Sequence, residues 1–422
     1  MSHLFRWNPY ADQPHNVAPR RERLRFHFKH SRSYVSLALS NLQYAVPVLG
    51  RYREHWKKMY KEPVDIQSPF ALSVSPEKGR NEEVVELLWE SGVRKTLFRI
   101  PSWEKENLET YDEFFDLLHK KGIELGIALL QRRDDVMNPL QWKDFIEEVF
   151  SRFRKFSSFY EIGHAWNRTK WGVWDYKEYI ELAYPAISLK EKYRVIIVGP
   201  AVIDFEFHLY PAVLNNISFD KISSLLYVDR SGAPENVQFG WSASRKIALL
   251  KAIVDVCGGK EVPLWITEVN WPLLGTGKYS PAAGRPNVSE EKQADYLVRY
   301  YILCMASGFV ERIYWWQMIA PGYGLIDSRG NKWRKRHSFY ALKTMIEHLE
   351  GSVFIGKIQH PQAFMFSFRK KRDFFIVCWT NREPCDYVFS DRVLRVLDRN
   401  GKEVSCFNNL IRIESSPKYV YF

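Results

Sequence analysis

Eight short apolar runs, spaced so that an amphipathic stretch fits between neighbours, constrain this chain more than any other feature. They lie at residues 70–75, 96–100, 125–130, 159–163, 195–198, 222–228, 264–269 and 313–316. Between them, residues 82–90, 111–120, 142–153, 176–189, 242–256 and 291–307 carry apolar side chains at helical spacing, and a last such stretch covers 339–349. Strands that alternate with helices pair in parallel, and eight such units close into a barrel. The predicted fold class is therefore α/β, a (β/α)8 TIM barrel spanning residues 63–350. A chain of 422 residues exceeds one barrel. After Gly351 the helical spacing stops, and runs at 363–368, 374–380, 393–397, 404–407, 411–414 and 419–422 read as strands, with Arg399-Asn400-Gly401-Lys402 as a hairpin turn. A small β-sandwich is expected at 351–422, and a basic, partly helical arm at 1–62.

The arm stands out by charge. Residues 1–62 hold 12 Lys and Arg against 4 Asp and Glu, so most of the net +12 of the chain lies there. The cluster Arg20-Arg21-Glu22-Arg23-Leu24-Arg25 and the later Arg51-Tyr52-Arg53-Glu54-His55-Trp56-Lys57-Lys58 flank an apolar run at 34–49. That arrangement suits an anionic membrane surface as a partner of residues 1–62; the plainer reading is a helix packed on the barrel. The run is interrupted by Ser36, Ser40, Asn41, Gln43 and Pro47 and is shorter than the ~20 residues that span a bilayer. The first residues lack the charged and apolar regions of an export signal, so the expected location is cytoplasmic, at most peripheral to the membrane. No nucleic-acid-binding motif is present, and none is expected as partner. Cys257, Cys304, Cys378, Cys385 and Cys406 are odd in number without a C-x-x-C pair, which points to reduced thiols rather than a disulfide framework. Neither a metal nor a cofactor is expected.

Two strands carry chemistry at their ends. Pro263-Leu264-Trp265-Ile266-Thr267-Glu268-Val269-Asn270-Trp271 delivers a carboxylate where an apolar run stops, and the C-terminal ends of barrel strands are where catalytic groups sit. Alternation predicts that Glu268 faces the cleft, with Thr267 and Val269 pointing away. Phe159-Tyr160-Glu161-Ile162-Gly163-His164-Ala165-Trp166-Asn167 has the same design. Trp166, Arg168, Trp171 and Trp174 follow it, and Asn270 and Trp271 follow Glu268, so aromatic faces and polar groups come together as a carbohydrate ligand requires. Residues 272–289, rich in Gly, Pro and Ser, suit a lid, and Gly275-Thr276-Gly277-Lys278 lacks the spacing of a phosphate loop.

These segments, with the paired Trp315 and Trp316 of the eighth strand, resemble the retaining glycoside hydrolases of clan A over about residues 63–350. A trailing β-domain is common among the β-xylosidase and arabinofuranosidase relatives. The resemblance implies Glu268 as the nucleophile of a glycosyl-enzyme intermediate. It implies Trp315 or Trp316 as the floor of the sugar subsite and Tyr227 as the tyrosine that bonds the nucleophile. Aligned on Glu161, Gly163 and Asn167, the family's Asn-Glu pair falls on His164-Ala165, so the usual acid/base carboxyl is replaced by Ala165. Glu161 lies four residues earlier, roughly 13 Å deeper at ~3.3 Å per residue. His164 is a candidate acid because imidazole titrates near neutrality, and otherwise replaces the family's Asn as a hydrogen-bonding group. Asp204, Glu206, Asp229, Arg230 and Glu235 are loop groups on the same face.

The expected site is thus catalytic Glu268 and His164, with Trp166, Asn167, Arg168, Trp171, Tyr227, Asp229, Asn270, Trp271, Trp315 and Trp316 binding substrate. Three functional classes follow. One is retaining O-glycosyl hydrolysis or transglycosylation. A second is a catalytically inactive glycan-binding or envelope-polysaccharide-associated protein. The third is a scaffold docked through the basic arm.

Overall fold

The computed structural model describes residues 5–15, 19–229, 231–258, 262–281 and 287–422. Eight parallel strands close a barrel: β1 (Phe70–Ser73), β2 (Lys95–Pro101), β3 (Glu124–Leu130), β4 (Phe159–Ile162), β5 (Ile196–Ile203), β6 (Lys221–Leu225), β7 (Leu264–Val269) and β8 (Val310–Trp315). All eight expected runs fall on them. The strands are apolar on both faces because both are covered. Ala71, Leu97, Ala128, Val198, Leu225, Trp265 and Tyr314 fill the barrel, while Leu264, Ile266 and Ile313 face the helices. The barrel interior is therefore solid, and a ligand is confined to its mouth.

Two arm helices, α1 (Arg20–Lys29) and α2 (Ser31–Lys58), precede the barrel helices α3 (Asn81–Glu90), α4 (Asp112–Lys120), α5 (Pro139–Phe153), α6 (Tyr176–Tyr193), α7 (Tyr210–Leu214), α8 (Ala243–Cys257), α9 (Glu290–Met305) and α10 (His337–Leu349). Local chemistry sets several starts. Asp175, Ser242 and Ser289 accept backbone N–H groups at the first turns of α6, α8 and α9, and Pro139 opens α5. The arm is not detached: α2 lies along α8 and α7. No helix among the described residues is long and apolar enough to cross a membrane.

The C-terminal region forms two antiparallel layers. The larger sheet runs β13 (Arg395–Asp398), β15 (Lys418–Tyr421), β11 (Asp373–Trp379), β10 (Phe364–Lys370) and β9 (Ser352–Ile358), with Val64–Ile66 added at the far edge. A ribbon of β12 (Cys385–Val388) and β14 (Leu410–Ile413) covers one face, where Ile411 and Ile413 meet Met365, Ile376 and Val420. The other face, with Phe366, Phe368 and Trp379, joins the main core beside Leu342 and Met345 of α10. Residues 404–407 are not the expected strand; only isolated bridges form, Leu397 with Glu403 and Phe407 with Leu410. Val404 and Cys406 pack partly against the core of Met365, Ile376 and Val420, while Phe407 remains 77% exposed. The turn after Asp398 is as expected, with Gly401 at φ 80° and its N–H bonded to the Asp398 carbonyl at 3.0 Å. Strands β9 and β12 were not anticipated: Gly356 and Lys357 interrupt the first, and the second buries little.

A buried ion pair ties the two parts. Arg299 of α9 donates to both oxygens of Glu235, Trp379 of β11 donates to the same carboxylate at 2.7 Å, and Arg299 reaches the Ser415 carbonyl at 3.3 Å. Glu235→Ala would leave a guanidinium buried without its counter-charge, a loss of about 3 to 5 kcal/mol. Urea unfolding should record it; a loss below about 1 kcal/mol would show that the junction does not depend on this pair.

Candidate functional site

A cavity of ≈ 140 Å³ opens at the C-terminal end of the barrel strands, and Glu268 is in its wall. Strict alternation does not put it there. Thr267 does not point away as expected: it continues the inward side of Trp265 and lies near Glu161, and the β7–β8 register shift between Ile266 and Val269 breaks the alternation after it, so that Glu268 is re-aimed into the mouth. A bulge beside a functional side chain has this effect. Val269 packs outward, as expected.

Three groups converge on the Glu268 carboxylate. Tyr227 donates to Oε1 at 2.5 Å, Arg99 of β2 donates to Oε2, and His164 Nε2 stands 3.3 Å from the same oxygen. Burial alone would raise the carboxyl. Arg99 first, then His164 and Tyr227, overturn that and hold it down at about 2. Glu268 is therefore ionised across the physiological range.

Arg99 does more than pair. Its guanidinium lies 3.2 Å above the Trp316 ring, Nη2 is 3.1 Å from His164 Nε2, and Nη1 is 3.5 Å from Asp12. His164 is fixed through its backbone by Gln131, which accepts its N–H at 2.9 Å and donates to its carbonyl at 3.1 Å. Burial, reinforced by Arg99, lowers its imidazole to about 4 against the pull of Glu268. At neutral pH the ring is uncharged.

Asp12 belongs to an unforeseen element. Trp7–Asn8 pairs with Gln13–Pro14 in a small hairpin laid across the barrel mouth. Trp7 packs on Trp103 and Trp171 at 5.3 and 6.0 Å, Gln13 bonds Lys170 at 2.5 Å and the Pro281 carbonyl at 3.3 Å, and Tyr10 meets Tyr279 edge-on at 5.3 Å. The hairpin thus bridges the loops after β2, β4 and β7. Burial raises the Asp12 carboxyl above the usual carboxylate range; Arg99 pulls it back and the Glu268 charge raises it again.

Of the expected site residues, Glu268, His164, Arg168, Trp171, Tyr227, Asp229, Asn270 and Trp316 line the cavity, as does Ala165. Four do not. Trp166 stacks on Tyr179 and donates to the Pro200 carbonyl at 2.7 Å; Asn167 secures the backbone of Ile203 and the Glu206 side chain. Trp271 and Trp315 stack on each other at 5.9 Å in the layer between strands and helices. Neighbouring residues of a strand face opposite sides, so only one tryptophan of the pair can reach the mouth, and it is Trp316. Trp174 packs against Phe26 and Arg133. Asp204 lines the cavity and, with Glu206, pairs with Arg168, whereas Glu235 belongs to the domain junction. Arg230 and residues 282–286 of the expected lid lie outside the described residues. Sequence reasoning missed Arg99, Lys170 and Asp12. An arginine inside the apolar run at 96–100 was the available signal for the first, since a buried charge demands a partner; the others carried none.

The same architecture occurs in solved glycoside hydrolases. A family 39 glycoside hydrolase from the gut symbiont Bacteroides cellulosilyticus WH2 is similar with a TM-score of 0.66 and 16% identity, over 83% of this chain and 80% of its own. A family 30 endoxylanase from Clostridium papyrosolvens C71 has a TM-score of 0.56 and 12% identity over 86% and 98% of the two chains. A family 51 arabinofuranosidase from Xanthomonas axonopodis pv. citri has a TM-score of 0.56 and 13% identity over 86% and 96%. No protein-family model and no curated protein matches the sequence. The chain therefore has the barrel-plus-β-domain fold of these glycoside hydrolases.

Beneath the site, Glu161 is buried on β4 with Oε1 lacking a hydrogen-bond partner among the described residues. Burial raises its carboxyl to about 7, offset only in part by the hydroxyls of Thr267 and Ser223. The folded state keeps this proton while the unfolded chain loses it from its ordinary 4.5. The stabilisation is complete below 4.5 and lost as pH rises through about 7. His164 has the opposite sign, losing stability as pH falls from 6.5 towards 4. Glu161→Gln should remove the first contribution alone, stabilising the fold near about pH 8 by on the order of 3 kcal/mol and leaving stability near about pH 4 little changed. Denaturation curves across that range test it, and equal pH slopes for variant and wild type would refute it.

Proposed function

We propose that this chain acts on a carbohydrate, and that Glu268 is the nucleophile of retaining O-glycosyl hydrolysis or transglycosylation. The observation that carries the reading is an ionised carboxylate at the barrel mouth, positioned by Tyr227 and by Arg99, whose guanidinium lies over the Trp316 ring. An ionised Glu268 can attack the anomeric carbon and form a glycosyl ester as the leaving oxygen departs with the bonding electrons. Water or a second sugar hydroxyl then displaces the ester, regenerating the carboxylate.

The proton for the leaving oxygen is the open step. Ala165 has none to give, and a neutral His164 beside Arg99 is a poor donor. The raised carboxyl of Asp12 lines the same cavity and holds a proton more readily than an ordinary aspartate. With the hairpin in place the cavity is smaller than the ~300 Å³ at which ligand pockets usually begin, so it suits the terminal sugar of a glycan rather than a continuous chain.

A second reading, glycan binding without turnover, is favoured by Ala165. Aryl glycosides with good leaving groups separate the two, because they need little acid assistance. The wild type should cleave an aryl glycoside of the matching sugar, a 2-fluoro analogue should label Glu268 as detected by mass spectrometry, and Glu268→Gln should lose on the order of 10³-fold or more in rate. Full turnover in that variant would exclude the nucleophile role. Turnover absent across a broad glycoside panel, with a glycan still bound, would establish the second reading.

Ala165→Glu tests the missing acid. If the cleft has room, it should raise cleavage of poor leaving groups by ~10²- to 10⁴-fold and change activated aryl glycosides little. A gain equal for both classes would show that the new carboxyl does not act as an acid.

A further inference from the structure

We propose that the outer face of α2, formed by Val35, Leu39, Leu42, Val46 and Leu49, seats the protein on a membrane surface of anionic phospholipid. The inner face is already used. Leu37, Val48 and His55 are buried, Asn41 donates to the His208 carbonyl at 2.8 Å, Tyr44 donates to Asn215 at 3.0 Å, and His55 Nε2 stands 2.7 Å from Asp255. These contacts with α7, α8 and their flanks fix the rotation of the helix, and so decide which side is left bare.

The bare side is a stripe. Its residues follow one another by four, three, four and three positions, which keeps them in line on a helix. Their exposures are 61, 61, 71, 81 and 48% in chain order. Exposed apolar residues scattered singly need no explanation, but a continuous row marks an interaction surface. No Asp, Glu, Lys or Arg occurs between Arg32 and Arg51, so the row is uncharged along its length. Leu24 and Phe28 of α1, 47 and 79% exposed, extend the apolar surface beyond the N-terminal end.

Charge decides what covers it. Arg21, Arg25, Lys29 and Arg32 are exposed at one end, and Arg53, Lys57 and Lys58 at the other. The spacing is also that of a coiled-coil seam, which makes a second copy of this chain the competing occupant. Two copies packed in parallel would set Arg53 against Arg53. Packed antiparallel, they would set Arg53 and Lys57 against Arg32 and Lys29. Either way like charges meet. An anionic lipid surface offers opposite charge to both basic ends while the row between them enters the headgroup and acyl boundary. Tyr34 and Trp56, partly exposed near the two ends, are the aromatic types that favour that boundary. This inference does not depend on the chemistry of the cleft.

The test is co-sedimentation of the full-length protein with vesicles of phosphatidylcholine alone and of phosphatidylcholine mixed with phosphatidylglycerol. Binding should require the anionic lipid and weaken as salt rises from about 0.1 to 0.5 M. The triple variant Leu39→Glu, Leu42→Glu, Val46→Glu should lower the partition coefficient by roughly tenfold or more. All three positions are exposed, and an unchanged thermal melt and circular dichroism spectrum would verify its fold. Sedimentation velocity should find the wild type monomeric without vesicles. The proposal is overturned if the wild type binds neither vesicle, if the triple variant binds as well as the wild type, or if the wild type forms a dimer that the variant dissolves. The last result would assign the stripe to a second copy.

Discussion

The guanidinium of Arg99 decides the charge state of the cleft. It is buried on β2, where a lone cation would be costly, and it is offset by two carboxylates far apart in the sequence, Glu268 and Asp12. The same group keeps Glu268 ionised despite burial and reinforces the neutrality of His164. Trp316 beneath it supplies an aromatic face that holds the cation without competing for its N–H donors. Remove Arg99 and the three titratable groups around it lose the common reference that sets their protonation.

The barrel and the β-domain were legible because periodicity reports burial. Runs such as 125–130 and 264–269 are apolar on both faces only if helices cover one side and the barrel interior the other, and the helical stretches between them leave few topologies. The site was legible only where a side chain lay at the end of a run. Glu268, His164 and Tyr227 were found that way. The failures share one cause: sequence gives the spacing of a strand but not its parity at the rim. Trp315 and Trp316 differ by a single position and face opposite layers, and the register shift after Ile266 brings Glu268 into the mouth against simple alternation. Trp166 and Trp271 are aromatic residues after strands, a pattern that core packing and a sugar platform produce equally well. Asp12 was invisible for another reason. Its hairpin reaches the mouth across some 250 residues of sequence, and nothing local to Trp7-Asn8-Pro9-Tyr10-Ala11-Asp12 records that destination.

The hairpin changes what the barrel mouth offers. Here Trp7, Tyr10 and Gln13 connect three rim loops above Glu268. The segment is held by ring contacts, a few hydrogen bonds and the ion pair of Asp12 with Arg99. The arm that follows is held differently, by a long helix packed along α8 with a buried His55–Asp255 contact. Among the described residues of the arm, 5–15 cover the cleft and α2 packs on the barrel wall.

Arg99 also bears on whether Glu268 can act as a nucleophile. A carboxyl held at about 2 rather than 4.5 is stabilised as an anion by on the order of 3 kcal/mol, and forming an ester surrenders that interaction. Left uncompensated, the loss would slow attack by roughly 10²-fold. Asp12 reduces it. In the proposed reaction Glu268 would become neutral in the ester, the guanidinium would keep Asp12 beside Nη1, and the Asp12 carboxyl, no longer facing a second negative charge, would ionise more easily. One arginine shared by two carboxyls would thus couple the charge of Asp12 to the neutralisation of Glu268.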